Sequence, residues 1–204
     1  MRYFYFLCLF ILGCSTTQVL NLSSLEVHKE AIIAHQKQLN HHYKDSLKSP
    51  LKEKDRLTFI SLDYFDINPQ FRVIASFKRK KSKIFKMKTS GTRTPEYRKY
   101  GVLSFELKGK KFKLTLYQNM KLIQKKGFED YLFLPFTDAS NGNGSYGGGR
   151  YIDFRVPNSN QVILDFNKAY NPYCAYNSKY SCPIPPLEND IEIAIEAGVK
   201  IEDH

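Results

Sequence analysis

Val102-Leu103-Ser104-Phe105-Glu106-Leu107, Lys108-Gly109-Lys110 and Lys111-Phe112-Lys113-Leu114-Thr115-Leu116-Tyr117 form one continuous stretch, and its alternation decides the fold. Period-two alternation puts Leu103, Phe105 and Leu107 on one face, and Phe112, Leu114 and Leu116 on one face of the following run. Lys111, Lys113 and Thr115 then point the other way. The glycine-centred break between the runs reads as a hairpin turn. One apolar face and one polar face indicate an antiparallel sheet rather than βαβ units, whose strands are apolar on both faces.

Working outward, residues 71–77, 84–88, 131–134, 151–156, 162–166 and 191–195 carry comparable patterns, giving about eight strands with the two above. The composition agrees, with 14 Tyr, 15 Phe and no Trp, aromatics that favour strands over a helical bundle. A chain that is 42% hydrophobic is not a disordered one, and 204 residues suit a single core. Before the strands, Ser23 and Glu26 have capping-box spacing, so a helix is expected from near Ser24. Leu25, Ile32, Leu39, Tyr43 and Leu47 share its apolar face, and Pro50 ends it by residues 46–49. Residues 52–59 read as a short second helix. The expected class is mainly β (α+β): a curled antiparallel sheet or barrel with an N-terminal helix packed on it.

Arg2 precedes an apolar run over residues 3–13, far short of the ~20 residues of a spanning helix but suited to a signal-peptide core. The run ends Ile11-Leu12-Gly13-Cys14, which resembles a bacterial lipobox. The resemblance implies a diacylglyceryl group on the Cys14 thiol, cleavage before Cys14 and acylation of the new amine. Residues 1–13 are then a lipoprotein signal peptide, residues 14–24 the lipidated cysteine and a tether, and residues 25–204 one domain. The mature chain would hold 191 residues with net charge +10. Lipid chains on Cys14 would anchor it to a membrane of the cell envelope, at the outer membrane or the periplasmic face.

The C-terminal third carries long strings. Phe133-Leu134-Pro135-Phe136-Thr137-Asp138-Ala139 leads to Tyr146-Gly147-Gly148-Gly149-Arg150-Tyr151. Asp165-Phe166-Asn167-Lys168-Ala169-Tyr170-Asn171-Pro172 and Cys174-Ala175-Tyr176 follow. Tyr180-Ser181-Cys182-Pro183-Ile184-Pro185-Pro186 and Glu188-Asn189 close the series. With Ser49-Pro50-Leu51 and Asp63-Tyr64-Phe65, these strings resemble the DUF1684 family over residues 25–200. That family has no established activity, and its members include lipoproteins of this layout.

Motif chemistry is sparse. Residues 142–147 satisfy GxGxxG, but a strand follows rather than the helix whose N-terminus would hold a pyrophosphate, so the segment reads as a glycine loop. His28, His35 and His42 are seven apart on one helix, ~10.5 Å along its axis, too far to share a metal ion; they read as a polar flank, and no metal or cofactor is expected. Asp138, Tyr146, Arg150, Asp165, Asn167 and Asn171 are the candidate ligand or catalytic pocket. Arg150 is suited to a bidentate pair with a carboxylate or an anionic ligand. Cys174 and Cys182 form a possible disulfide, with buried thiols or a reactive pair as the alternatives.

Charge is uneven. Residues 67–95 hold nine Lys/Arg and no Asp or Glu, so they carry +9 of the net +11. The run Lys78-Arg79-Lys80-Lys81-Ser82-Lys83, with Lys86 and Lys88, suits anionic lipid or glycan, and no nucleic acid partner is expected. The sequence therefore points to an envelope lipoprotein with a ligand-binding β-rich domain. A hydrolase working from carboxylates such as Asp138 and Asp165 is one alternative; a structural protein without a pocket is another.

Overall fold

The computed structural model describes residues 15–201, with side chains from Ser24 onward; Cys14 and the expected signal segment lie outside the described residues. The elements run α1 (Ser15–Lys44), α2 (Glu53–Thr58), β1 (Arg72–Arg79), β2 (Phe85–Lys86), β3 (Glu96–Leu107), β4 (Lys110–Asn119), β5 (Tyr131–Asp138), β6 (Arg150–Arg155), β7 (Gln161–Asp165) and β8 (Asp190–Ile191). The sheet has the order β6-β5-β4-β3-β1-β7, with β2 added to β3 and β8 to β5. All pairings are antiparallel except β5 with β8. This is the expected curled antiparallel sheet, a half-barrel with one N-terminal helix.

The β3–β4 hairpin pairs Leu103 with Leu114 and Phe105 with Phe112. Its turn residues Lys108 and Gly109 have φ of 50° and 75°, the paired positive values that match the twist of the flanking strands. All six predicted inward residues of the hairpin are buried, each contributing about 1.5–3 kcal/mol. They join Leu132, Leu134, Phe136, Ile152, Leu164 and Phe166 in the main core on the concave face.

The convex face is not simply polar. Thr115 and Tyr117, on the outward register of β4, are buried. Met87, Tyr97, Tyr117, Phe133 and Tyr151 form a second cluster there. A β-bulge makes it possible. The β3–β4 register shifts between Lys99 and Gly101, so Tyr100 joins the concave core while Tyr97 faces outward. Gly101 is needed at the bulge because a Cβ there would lie 2.3 Å from the Phe77 ring.

α1 lies across the gap between the two sheet edges. A cavity of about 580 Å³ is lined by Val27, His28, Ala31 and Ile32 of α1, by Ile152, Phe154 and neighbours of β6, and by Ile163 and Asp165 of β7. The helix thus shields edges that would otherwise invite pairing. Ile32 and Tyr43 are fully buried, and Leu39 packs beside Tyr43. Three expectations are corrected. The helix starts at Ser15 rather than near Ser24 and ends at Lys44, which leaves Leu47 beyond it and exposed. The last strand is only Asp190–Ile191, because Ile195 and Ala197 turn into the concave core. The histidines are not a solvated flank: His28 is buried against Asp165, and His42 shares a hydrogen bond with the Tyr173 hydroxyl.

Between β4 and β5 the direct ladder has one register pair, Tyr117 opposite Phe133. Asn189 replaces the missing rungs. Its Oδ1 accepts from Thr115 N–H at 2.7 Å, and its Nδ2 donates to the Thr115 and Pro135 carbonyls at 2.9 and 2.7 Å. The side chain is fully buried. Asn189→Ala leaves these backbone groups unpaired and is expected to cost about 3 kcal/mol, read as a lower urea midpoint with an unchanged m-value. A loss under about 1 kcal/mol would show that Asn189 does not carry this junction.

Candidate functional site

Strand parity sorts the polar side chains into separate places. Arg150 shares the concave face with Ile152 and Phe154, and Asp138 follows Phe136 on that face of β5. The two meet at one end of the half-barrel, where Arg150 Nη2 donates to Asp138 Oδ2 at 2.9 Å with both side chains fully buried. Nη1 donates to the Ala197 carbonyl at 2.6 Å and Nη2 to that of Ile195 at 2.7 Å. Asp138 Oδ1 accepts from Ser140 N–H and Oγ–H and from Ile195 N–H. Burial pulls the Arg150 pKa down, and Asp138 opposes that. The cluster ties β5, β6 and the C-terminal segment together, and its charges are spent on one another.

The other predicted residues lie elsewhere. Asp165 Oδ2 is 2.8 Å from His28 Nε2, while Oδ1 accepts from Asn167 N–H and Nδ2. Asn167 also accepts from Asn68 N–H and donates to the Asn68 carbonyl, pinning the segment before β1. Asn171 is fully buried and donates to the Tyr176 hydroxyl and the Lys200 carbonyl. Tyr146 reaches Cys174 Sγ at 4.0 Å. Cys174 and Cys182 are free cysteines that lie together, Cys174 N–H donating to Cys182 Sγ at 3.2 Å. Burial raises the Cys182 thiol to about 12, which suppresses the nucleophilic thiolate. The six predicted pocket residues therefore do not converge on one opening.

An opening does exist on the convex face. The outward residues of β5 and β6, Tyr131, Phe133, Tyr151 and Asp153, stand beside one another: Phe133 pairs with Asp153, and Pro135 with Tyr151. With Tyr97 of β3, and with Tyr170, Tyr173 and Tyr180 from the following loops, they line a cavity of about 340 Å³. The Phe133 and Tyr151 rings meet edge-on with centroids 4.6 Å apart. Asp153 Oδ1 accepts from the hydroxyls of Tyr131 and Tyr170 at 2.7 and 2.6 Å, while among the described residues nothing donates to Oδ2. Burial first, and then the Asp153 charge, push the Tyr131 and Tyr170 pKa values well above 10, so both hydroxyls stay protonated as donors. Cys182 and Pro183 form part of the wall.

Sequence reasoning placed Arg150 but not Asp153 in the candidate pocket. The parity of β6 was the available signal, since it sends Arg150 inward and Tyr151 and Asp153 outward on alternating positions. The tyrosines from the 170–180 loops had no such signal. Among the described residues no group of three His, Cys, Asp or Glu could hold a metal ion. No helix among them is long and apolar enough to cross a membrane.

The family model described as "Protein of unknown function (DUF1684)" matches residues 57–200. The solution NMR structure of an uncharacterised protein of Haloarcula marismortui is 31% identical, with a TM-score of 0.68; the match covers 88% of this chain and 97% of that one. No curated protein matches the chain.

The buried ion pair yields a two-step test. Arg150→Met leaves Asp138 buried without its countercharge and is expected to cost about 3–5 kcal/mol, whereas Arg150→Met with Asp138→Leu should recover much of that loss. Equilibrium unfolding of the single and double variants measures both. A single variant as stable as the parent would mean that the pair does not hold the fold.

Proposed function

The chain belongs to the DUF1684 family, whose description carries no activity, and we propose that it is a ligand-binding domain of the cell envelope held at a membrane by lipid on Cys14. The observation that carries ligand binding is the convex-face cavity. A concave aromatic wall with a few oriented polar groups is the usual make-up of a small-molecule site, and here the open carboxylate oxygen of Asp153 sits among protonated tyrosines. Asp138 and Asp165, the carboxylates a hydrolase would draw on, accept from protein donors at both oxygens. That arrangement leaves neither carboxylate free to serve a hydrolase. The lipid anchor rests on the lipobox-like Ile11-Leu12-Gly13-Cys14, and the Lys78–Lys88 basic region would face anionic lipid or glycan.

Two measurements test this. A thermal-shift screen of the purified chain against small metabolites should find compounds that stabilise the parent, with the shift lost in Asp153→Asn and Tyr180→Ala. Compounds that stabilise parent and variants equally would place binding elsewhere, and a broad screen without any hit would count against a small-molecule site. For the anchor, intact mass after bacterial expression should fit 191 residues plus diacylglycerol and one further acyl chain. A mature chain starting at an unmodified residue would refute it.

A further inference from the structure

We infer that the tyrosine cavity and a basic groove beside it are two subsites of one site for an acidic carbohydrate, the sugar ring entering the cavity and its anionic group lying on the groove. This rests on reading the cavity as a ligand site. The groove, about 870 Å³, runs past Lys86 of β2, Arg93, Lys121 and Lys125, with Glu96 as its one acidic residue. Arg93 and Leu122 line both the groove and the cavity, so the two spaces adjoin. Lys86, Arg93, Lys121 and Lys125 are exposed, and among the described residues none of them is in an ion pair. Arg93 is held at the junction by the hydrogen bond it donates to the Ser181 carbonyl.

The chemistry of the two spaces selects the ligand. Aromatic faces carry negative potential and attract the positive C–H edges of a sugar ring. The free Asp153 oxygen is an acceptor and takes a ring hydroxyl. An alkyl chain would cover the second Asp153 oxygen without donating to it, whereas Oδ1 already has its tyrosine donors. An organic cation would suit Asp153 and the rings, but Arg93 stands in the cavity wall and the adjoining groove adds Lys86, Lys121 and Lys125. A sugar bearing carboxylate, sulfate or phosphate satisfies both halves at once, hydroxyls toward Asp153 and the anion toward Arg93, Lys121 and Lys125.

The test is titration of the full chain in detergent micelles with trigalacturonate, with neutral maltotriose and with oligothymidylate, at low ionic strength. Trigalacturonate is expected to bind about tenfold more tightly than maltotriose, two exposed charge contacts supplying the difference, and salt should erode that advantage. Lys121→Glu with Lys125→Glu should bring trigalacturonate down to the neutral level, Tyr180→Ala should weaken both sugars, and Lys126→Glu, outside the groove, should change neither. Equal binding of the two sugars, untouched by the groove variants, overturns the acidic class while leaving the cavity reading in place. Trigalacturonate binding that ignores Tyr180→Ala overturns the shared site, and tighter binding of oligothymidylate at the same residues overturns the carbohydrate assignment. Absence of binding by either sugar overturns it too, and the metabolite screen then decides separately whether the cavity binds anything.

Discussion

The half-barrel depends on a charge pair placed where water cannot reach. An open curled sheet has a core that must be closed at its ends, and here the C-terminal segment closes one of them. Arg150 holds that segment through the Ala197 and Ile195 carbonyls while Asp138 takes the Ile195 N–H. The guanidinium and carboxylate neutralise each other with no exposed surface. Desolvating two ions is costly, and the hydrogen bonds to the Ala197 and Ile195 backbone offset that cost only while the segment stays in place. Specificity of closure, more than net binding energy, is what the pair supplies.

Closing the concave side with protein frees the convex side for recognition. The bulge at Tyr100 changes which face β3 presents, so one strand contributes Leu103 to the core and Tyr97 to the opposite cluster. Parity on β6 does the same for Arg150 and Asp153. The loops that follow β7 then bring Tyr170, Tyr173 and Tyr180 over the exposed face. The chain's abundance of tyrosine over tryptophan has a physical sense at such a site: each ring offers an apolar face and a hydroxyl.

Most of the fold was legible from alternation alone. The β3–β4 hairpin, its turn and its six inward side chains follow from period two, because each residue's environment there is set by the strand it belongs to. The family strings were legible too, and the family model covers residues 57–200. The site was less so. Arg150, Asp138 and Asp165 carry the residue types of a reactive pocket, and nothing local separates a buried ion pair from a ligand clamp. Tyr97 was hidden by the bulge, which breaks the period, and Tyr170, Tyr173 and Tyr180 by loops, which have none. Asn189 shows the same limit: its position after Glu188 does not reveal that it bridges Thr115 and Pro135 across a gap in the ladder. His28 faces Asp165 through a contact 137 positions distant in sequence, beyond the reach of any spacing rule.

The claim that the buried pair closes the barrel is tested most directly by native-state hydrogen exchange at the Ile195 amide, which donates to Asp138 Oδ1 at 3.0 Å. If the Asp138–Arg150 cluster fastens the C-terminal segment, this amide opens only with the whole domain, and its exchange free energy equals that of Leu103 and Leu114 in the central hairpin. Exchange at Ile195 through a local opening several kcal/mol below the hairpin would contradict the account, since the segment would then leave while the half-barrel stands.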